Sequence, residues 1–380
     1  MSQLNILVYG EGGRETALRE SIQKSPLVSE VHSMPASTNF TEVVRFCRLK
    51  KIDMAVIGPE APLVAGIVGE LQKAEIIAFG PSKLAAQLEG SKIYMKTRCE
   101  RWGISTAKFD FAGSYAVAER IIKNRGFRIV KANGLWSGKG VVIAGSEEEA
   151  LEAAKEWLLK DGKIVIEERL QGVECSFMVL CDGIEFRPLA LARDEKRLRA
   201  DSDIMTGGVR AHSPVLDVTN EQITVMEGMV STLLSDMRMA GQTYIHKDQV
   251  QDCVGIPYQG VLYGGFMLTE EGPKLLEINC RFGDPEAQIV LPRLDTDIVP
   301  YLLACTTVGG LVGMPPLAWK KEAAACVVLF SEDYPASGHR LETVTRFGPT
   351  VTAAYDKVYD DLREMRTNAR YREKDFPAGI

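Results

Sequence analysis

Short apolar runs that stop at glycine or proline mark the first hundred residues. Leu4 to Tyr9 (LNILVY) is nearly all apolar and ends in Gly10-Glu11-Gly12-Gly13-Arg14, after which Ala17, Leu18 and Ile22 recur at helical spacing. That pattern predicts a strand, a glycine turn and a helix. A second run covers Glu30 to Met34. A third, Met54 to Ile57, stops at Gly58-Pro59-Glu60-Ala61-Pro62, and a fourth, Ile76 to Phe79, stops at Gly80-Pro81. Open α/β sheets bind ligands where strands end in this way, so residues 1–105 are expected to form a Rossmann-like domain with a small-molecule edge. The helix N-terminus beside Arg14 could hold a phosphate or carboxylate. Glu15 stands where a dinucleotide fingerprint needs its third glycine, and no acid ends the second run, which argues against a nicotinamide oxidoreductase.

The pattern changes at Gly103 to Thr106, and the segment 107–185 reads as a small lid: strand 127–132, a loop, strand 141–144, a helix, then strands 163–167 and 173–181. Ser146 and Glu149 offer the helix a capping box, and Gly162 ends it. In the loop (RIVKANGLWSGKGVVI), Gly134, Gly138 and Gly140 let the backbone approach an anion, and Lys131 and Lys139 add point charges. The spacing is not that of a Walker A loop, and an ordinary hairpin with a flexible loop would look the same. Val165 to Leu170 runs from apolar straight into charge, as a hinge facing a purine edge would, with Glu174 free for ribose hydroxyls; a solvated strand end would also read so.

Tyr263 to Leu268 and Lys274 to Cys280 flank the turn Thr269-Glu270-Glu271-Gly272-Pro273 and predict a hairpin. Alternation puts Leu276, Ile278 and Cys280 on one face and Glu277, Asn279 and Arg281 on the other. A carboxylate and an amide oxygen two residues apart can share one hard cation, and magnesium on nucleotide phosphates takes one or two such ligands. Arg281 could take an anionic group bidentately, and Asp284-Pro285-Glu286 follows it.

Composition narrows the class. With 380 residues, 46% of them hydrophobic, the chain can bury a large core in two or three domains. A net charge of -6 leaves no basic surplus for a nucleic-acid backbone. Eight scattered cysteines without a Cys-x-x-Cys pair argue against a zinc site or a disulfide framework. With no apolar leader and no run of 18 apolar residues, the expectation is a cytoplasmic protein with no membrane partner.

Seven stretches together resemble the ATP-grasp ligases, and within them the phosphoribosylamine-glycine ligase family: VYGEGGRE (8–15), IDMAVIGPEAPLVAGI (52–67), FGPSKLAAQLEGSKIYMK (79–96), VKANGLWSGKGVVIA (130–144), IEERLQGVECS (166–176), TGGVRAHSP (206–214) and LEINCRFGDPEAQ (276–288). The resemblance implies an α/β protein, with α+β character in the lid: an ATP-grasp domain over 106–315 after the Rossmann-like one, then a shortened C-terminal domain over 316–380. It implies that Lys92 and Lys131 contact ATP phosphates under a cover of Gly134, Ser137, Gly138, Lys139 and Gly140. Glu167, Arg169 and Leu170 would frame the adenine, Glu174 would bind the ribose, and Glu277 and Asn279 would hold magnesium, or manganese in its place. Arg281, with Lys131, would serve the chemistry. Arg281, Asp284, Asp201, Asp203 and the Thr206-Gly207-Gly208 turn would face the substrates, and Gly12, Gly13, Arg14 and Glu15 the phosphoribosylamine.

The implied activity is ATP-dependent joining of glycine to 5-phosphoribosylamine through an acyl phosphate. The alternatives are a related ligase for another amine and carboxylate, or an ATP-binding regulatory protein without catalysis. Departures from the family fall around the acceptors: Thr16 replaces a histidine, Met34-Pro35-Ala36-Ser37 replaces a proline-glycine-asparagine loop, Asp203-Ile204-Met205 lacks a glycine-proline-asparagine, and some forty residues before Arg346 are missing. Asn133 and Trp136 replace an acid and a small residue.

Overall fold

The computed structural model describes residues 3–136, 139–198, 205–239, 242–246, 249–253, 255–334, 339–365 and 369–373, with the backbone alone at 205, 242–246 and 249–253. The chain opens with β1 (Leu4–Tyr9), α1 (Gly13–Ile22), β2 (Val28–Met34), α2 (Phe40–Leu49), β3 (Met54–Ile57), α3 (Glu60–Ala65), α4 (Ile67–Lys73) and β4 (Ile77–Phe79). These strands form a parallel sheet in the order β2-β1-β3-β4. Strand periodicity sorts β1 between two cores: Ile6 and Val8 join Leu18 and Ile22 of α1, while Leu7 and Tyr9 join Val43 of α2. The doubly wound arrangement read from the apolar runs is therefore present.

Next come α5 (Gln87–Gly90), α6 (Lys92–Trp102), β5 (Phe109–Ala112), α7 (Tyr115–Arg125), β6 (Ile129–Ala132), β7 (Val141–Ile143), α8 (Glu147–Asp161) and β8 (Ile164–Glu167). The antiparallel sheet β5-β8-β6-β7 carries α7 and α8 over a separate core that includes Ile122, Val130, Ala154, Trp157 and Ile166. Ser146 caps α8 by accepting from Glu149 N at 3.2 Å, but the Glu149 carboxylate accepts from Gly145 N at 2.7 Å, one residue earlier than a capping box requires. Gly162 ends the helix at φ +73°.

The remaining elements are β9 (Val173–Asp182), β10 (Phe186–Pro188), β11 (Arg193–Arg197), β12 (Met205–Ser213), α9 (Asn220–Arg238), the hairpin β13 (Gln242–His246) and β14 (Gln249–Cys253), β15 (Gln259–Thr269), β16 (Gly272–Asn279), α10 (Ala287–Arg293), α11 (Val299–Cys305), β17 (Ala323–Phe330), β18 (Arg340–Gly348) and α12 (Val351–Glu364). Strand 173–181, read as part of the lid, pairs instead with β15 in the sheet β10-β9-β15-β16, because its alternate residues Phe177 and Val179 complete the core of the first domain. The last segment is no separate layer either: β17 and β18 extend β11 and β12 into one sheet, and α12 packs on β17 and β18. Thr206-Gly207-Gly208, expected as a turn, lies within β12.

One register break matters for the site. β15 and β16 pair Gly265 with Glu277 but Phe266 with Leu275, so Leu276 is an extra residue. The bulge puts Leu275 in the core with Ile278 and Cys280 and leaves Leu276, which alternation had assigned to that core, half-buried at the cavity wall.

Candidate active site

A cavity of about 1160 Å³ opens between the lid sheet, the β9-β15-β16 layer, β11 and residues of α1, α3 and α5. Lys92, Lys131, Gly134, Gly140, Glu167, Arg169, Leu170, Glu174, Glu277, Asn279, Arg14, Thr206, Gly207, Arg281 and Asp284 all line it. Lys139 is exposed and lies outside the lining, as do Gly12, Gly13, Glu15 and Gly208. Ser137, Gly138, Asp201 and Asp203 lie outside the described residues.

The glycine loop is pinned at both ends. Asn133 Oδ1 accepts from Ser91 Oγ and Ile93 N, each at 2.9 Å, and Lys92 N donates to Asn133 O at 3.0 Å, fastening the loop to the first turn of α6. Asparagine suits this position because its amide oxygen takes both donors. Lys92 Nζ donates to Gly134 O at 3.1 Å, and burial lowers the pKa of its ammonium, with Glu277 opposing. Further on, Trp136 packs edge-on against Trp157 of α8 at 4.9 Å. A Cβ on residue 140 would lie 2.7 Å from Trp136 Cβ, so Gly140 is required by the tryptophan. Apolar side chains from four strands, Ile129, Val141, Ile143, Met267, Leu276 and Ile278, leave a slot suited to a flat ring.

Beside that slot Glu167 is buried between two lysines, its Oε2 2.8 Å from Lys131 Nζ and its Oε1 3.0 Å from Lys96 Nζ. Burial works against its charge, yet Lys131 and Lys96 together hold its pKa below the usual value. Glu168 is occupied differently, accepting from Lys108 N at 2.8 Å.

Across the cavity, Lys196 of β11 places its Nζ 3.3 Å from Glu277 Oε1 and 3.4 Å from Glu174 Oε2. Its ammonium is the main reason the Glu277 carboxyl titrates at about 2. The neighbouring Asp194 is pushed up to about 8 by burial, with Lys196 opposing. An ionised carboxylate and the Asn279 amide on one strand face, already compensated by an internal cation, form a donor set that fits a hard divalent ion.

At the far end Arg281 spans two acids, with Nε 3.4 Å from Glu60 Oε2 and Nη2 3.3 Å from Glu89 Oε1. Burial disfavours its charge, but Glu89 and Glu60 outweigh this and raise its pKa. Its fork is thus already engaged by the protein. Arg14 reaches the same cluster at 3.9 Å from Glu60 Oε2. Glu15 faces inward instead: it accepts from Arg14 Nε at 2.7 Å and from Gly12 N at 2.8 Å, so the N-terminus of α1 is filled by the chain's own carboxylate. Asp284 is held by Gln288 Nε2 at 2.7 Å and by Arg340 Nη2 at 2.6 Å, and Arg340 also donates to Gly207 O at 3.0 Å. Gly208, at φ +106°, lies against Pro285, whose Cδ would be 2.6 Å from a Cβ there.

The sequence reading missed Lys96, Lys196, Glu60, Glu89, Arg340 and Arg372, the last five of which line the cavity with the residues it named. Glu60 and Glu89 sat within stretches already singled out; nothing local distinguishes Lys196, Arg340 or Arg372.

Residues 4–89 match the family model described as phosphoribosylglycinamide synthetase, N domain, and residues 90–287 match its ATP-grasp (A) domain. The chain is 36% identical over 426 residues to phosphoribosylamine-glycine ligase of Rhizobium meliloti (strain 1021), with 97% of each chain covered. It is 37% identical over 359 residues to the trifunctional purine biosynthetic protein adenosine-3 of Gallus gallus, covering 87% of this chain and 34% of that one. Among solved structures, phosphoribosylamine-glycine ligase from Thermotoga maritima superposes with a TM-score of 0.78 at 28% identity, over 97% of this chain and 99% of the other. Biotin carboxylase from Campylobacter jejuni shares the fold, with a TM-score of 0.71 at 13% identity over 96% and 92% of the two chains.

Proposed function

The chain belongs to the phosphoribosylglycinamide synthetase family, and from that membership we propose how its own residues serve the reaction. It is an ATP-grasp carbon-nitrogen ligase of purine biosynthesis that joins glycine to 5-phosphoribosylamine, giving glycinamide ribonucleotide, ADP and phosphate. A carboxylate is a poor electrophile. Glycine's carboxylate oxygen therefore first attacks the γ-phosphorus of ATP, the bond to the β-γ bridging oxygen breaks, and ADP leaves. The amine of phosphoribosylamine then attacks the carbonyl carbon of glycyl phosphate, phosphate departs with the C–O electron pair, and the nitrogen gives up a proton.

In this reading the protein positions its substrates and neutralises charge. The apolar slot around Leu276, Ile278 and Val141 takes the adenine, with Arg169 and Leu170 at its edge and Glu174 at the ribose. Lys92 and Lys131 meet the phosphates. Glu277 and Asn279 would hold the divalent ion that enzymes of this fold use, which we assign as magnesium; when bound it supplies positive charge against the β- and γ-phosphates. Arg281 and Asp284 face the acceptors, and an acceptor anion that binds Arg281 competes with Glu60 and Glu89 for its fork. The seven cysteines whose side chains are described are buried and free, which supports work in a reducing cytoplasm, and among the described residues no helix is long and apolar enough to cross a membrane.

The observation that carries this reading is the convergence of Lys92, Lys131, Glu277, Asn279 and Arg281 on one cavity. Its test is ADP release by purified protein with ATP, magnesium, glycine and freshly generated phosphoribosylamine, followed by mass spectrometry. Glycinamide ribonucleotide is the expected product. ADP release only with a different amine and carboxylate would overturn the acceptor assignment, and none with any acceptor would mean a binding protein.

A further inference from the structure

Lys96 is fully buried and is not among the residues lining the cavity. It lies one turn beyond Lys92 on α6, on the same side of the helix. Its Nζ donates to Thr106 Oγ1 at 2.6 Å, and Thr106 passes a hydrogen bond on to Leu275 O of β16 at 2.5 Å. The ammonium also lies 3.0 Å from Glu167 Oε1, while the other carboxylate oxygen faces Lys131 Nζ at 2.8 Å. The three charges thus form a row leading from the protein interior to the cavity wall.

Formal charge shows what the row does. Lys131 and Glu167 alone make a neutral pair, and a lysine neutralised by a buried carboxylate has little attraction left for a polyphosphate. With Lys96 included the row carries one net positive charge, and Lys131, which lines the cavity together with Glu167, is its cation there. We propose that Lys96 is a positioning residue for the ligase reaction, which by sharing the Glu167 carboxylate leaves the charge of Lys131 available to the nucleotide phosphates. The proposal rests on the reading that Lys131 meets those phosphates. A latch that merely ties α6 to β8 would use the same contacts, but the two roles respond differently to removal of Glu167.

The test is ATP affinity in the presence of magnesium, by titration calorimetry, with the melting temperature of each variant recorded. Lys96→Met is expected to weaken ATP binding by roughly tenfold or more, the scale of one uncompensated charge at this distance in a partly buried site. Adding Glu167→Gln to that variant restores the net positive charge and should recover most of the lost affinity. A double variant as weak as Lys96→Met would overturn the proposal in favour of the latch. Glu167→Gln alone is the reference for the carboxylate's own place at the cavity wall: Lys96→Met should cost far less affinity in that background than in the unaltered protein, and an equal cost in both would overturn the proposal. Lys131→Met separates the two levels of the argument. Unchanged ATP affinity there would overturn the assignment of Lys131 itself, whereas a loss there with none in Lys96→Met would sink only the role of Lys96.

Discussion

Glu277 is the side chain on which the charges of the cavity meet. Lys196 lies 3.3 Å from it and holds its carboxyl at about 2, so it stands ionised across the whole physiological range. Glu277→Ala should abolish metal-dependent ADP release while leaving the melting temperature close to that of the unaltered protein, because the side chain is partly exposed and its backbone pairs with Gly265 regardless. Normal ADP release by this variant would remove Glu277 from the metal site. Glu15 carries the opposite lesson: a carboxylate in a glycine-rich turn looks like a ligand contact in one dimension, yet it satisfies Gly12 N and Arg14 of its own chain.

At the scale of elements, the glycine loop is held by what it packs on. Gly140→Ala brings a methyl group within 2.7 Å of Trp136 Cβ and should displace the ring from Trp157, raising the KM for ATP. Trp136→Ala in that background should add little, since both changes break one contact; a fully additive double-mutant cycle would show the two to be independent. A second element pair makes a pH prediction. His212 of β12 is buried edge-on against Tyr355 of α12 at 5.9 Å, and burial, followed by Arg193, lowers its pKa to about 4. The unfolded value is near 6.5, so the unfolded state binds the proton first. The stability contributed by neutral His212 is therefore complete above about pH 6.5 and is lost as the pH falls towards 4, on the order of 3 kcal/mol in all. His212→Gln should melt with a shallower decline over that window, and parallel curves for the two proteins would refute the assignment.

At the scale of the molecule, the C-terminal sheet closes the end of the cavity that we assign to the acceptors. Arg340 on β18 reaches Asp284 and Gly207 O, and Arg372, beyond α12, donates to Arg197 O at 3.0 Å at the cavity wall. Arg340→Met should leave Asp284 held by Gln288 alone and raise the KM for glycine or phosphoribosylamine while leaving that for ATP nearly unchanged; an equal rise for ATP would mean that β18 supports the whole cavity. The sequence alone determined what is local. Apolar runs ending at glycine or proline specified β1, β3 and β4, because burial on both faces needs only a continuous apolar segment, and the polar trio Glu277, Asn279 and Arg281 was legible because strand alternation is a property of neighbours. Tertiary structure decided the rest. Whether Leu275 or Leu276 enters the core depended on a bulge set by the partner strand, and whether strand 173–182 joined the lid depended on which core its apolar face could complete. Lys96, Lys196 and Arg340 acquired their roles from carboxylates 71, 81 and 56 positions away along the chain. Periodicity reports only which face of an element is buried; which charge meets which across a cavity is set by packing between elements that no local pattern encodes.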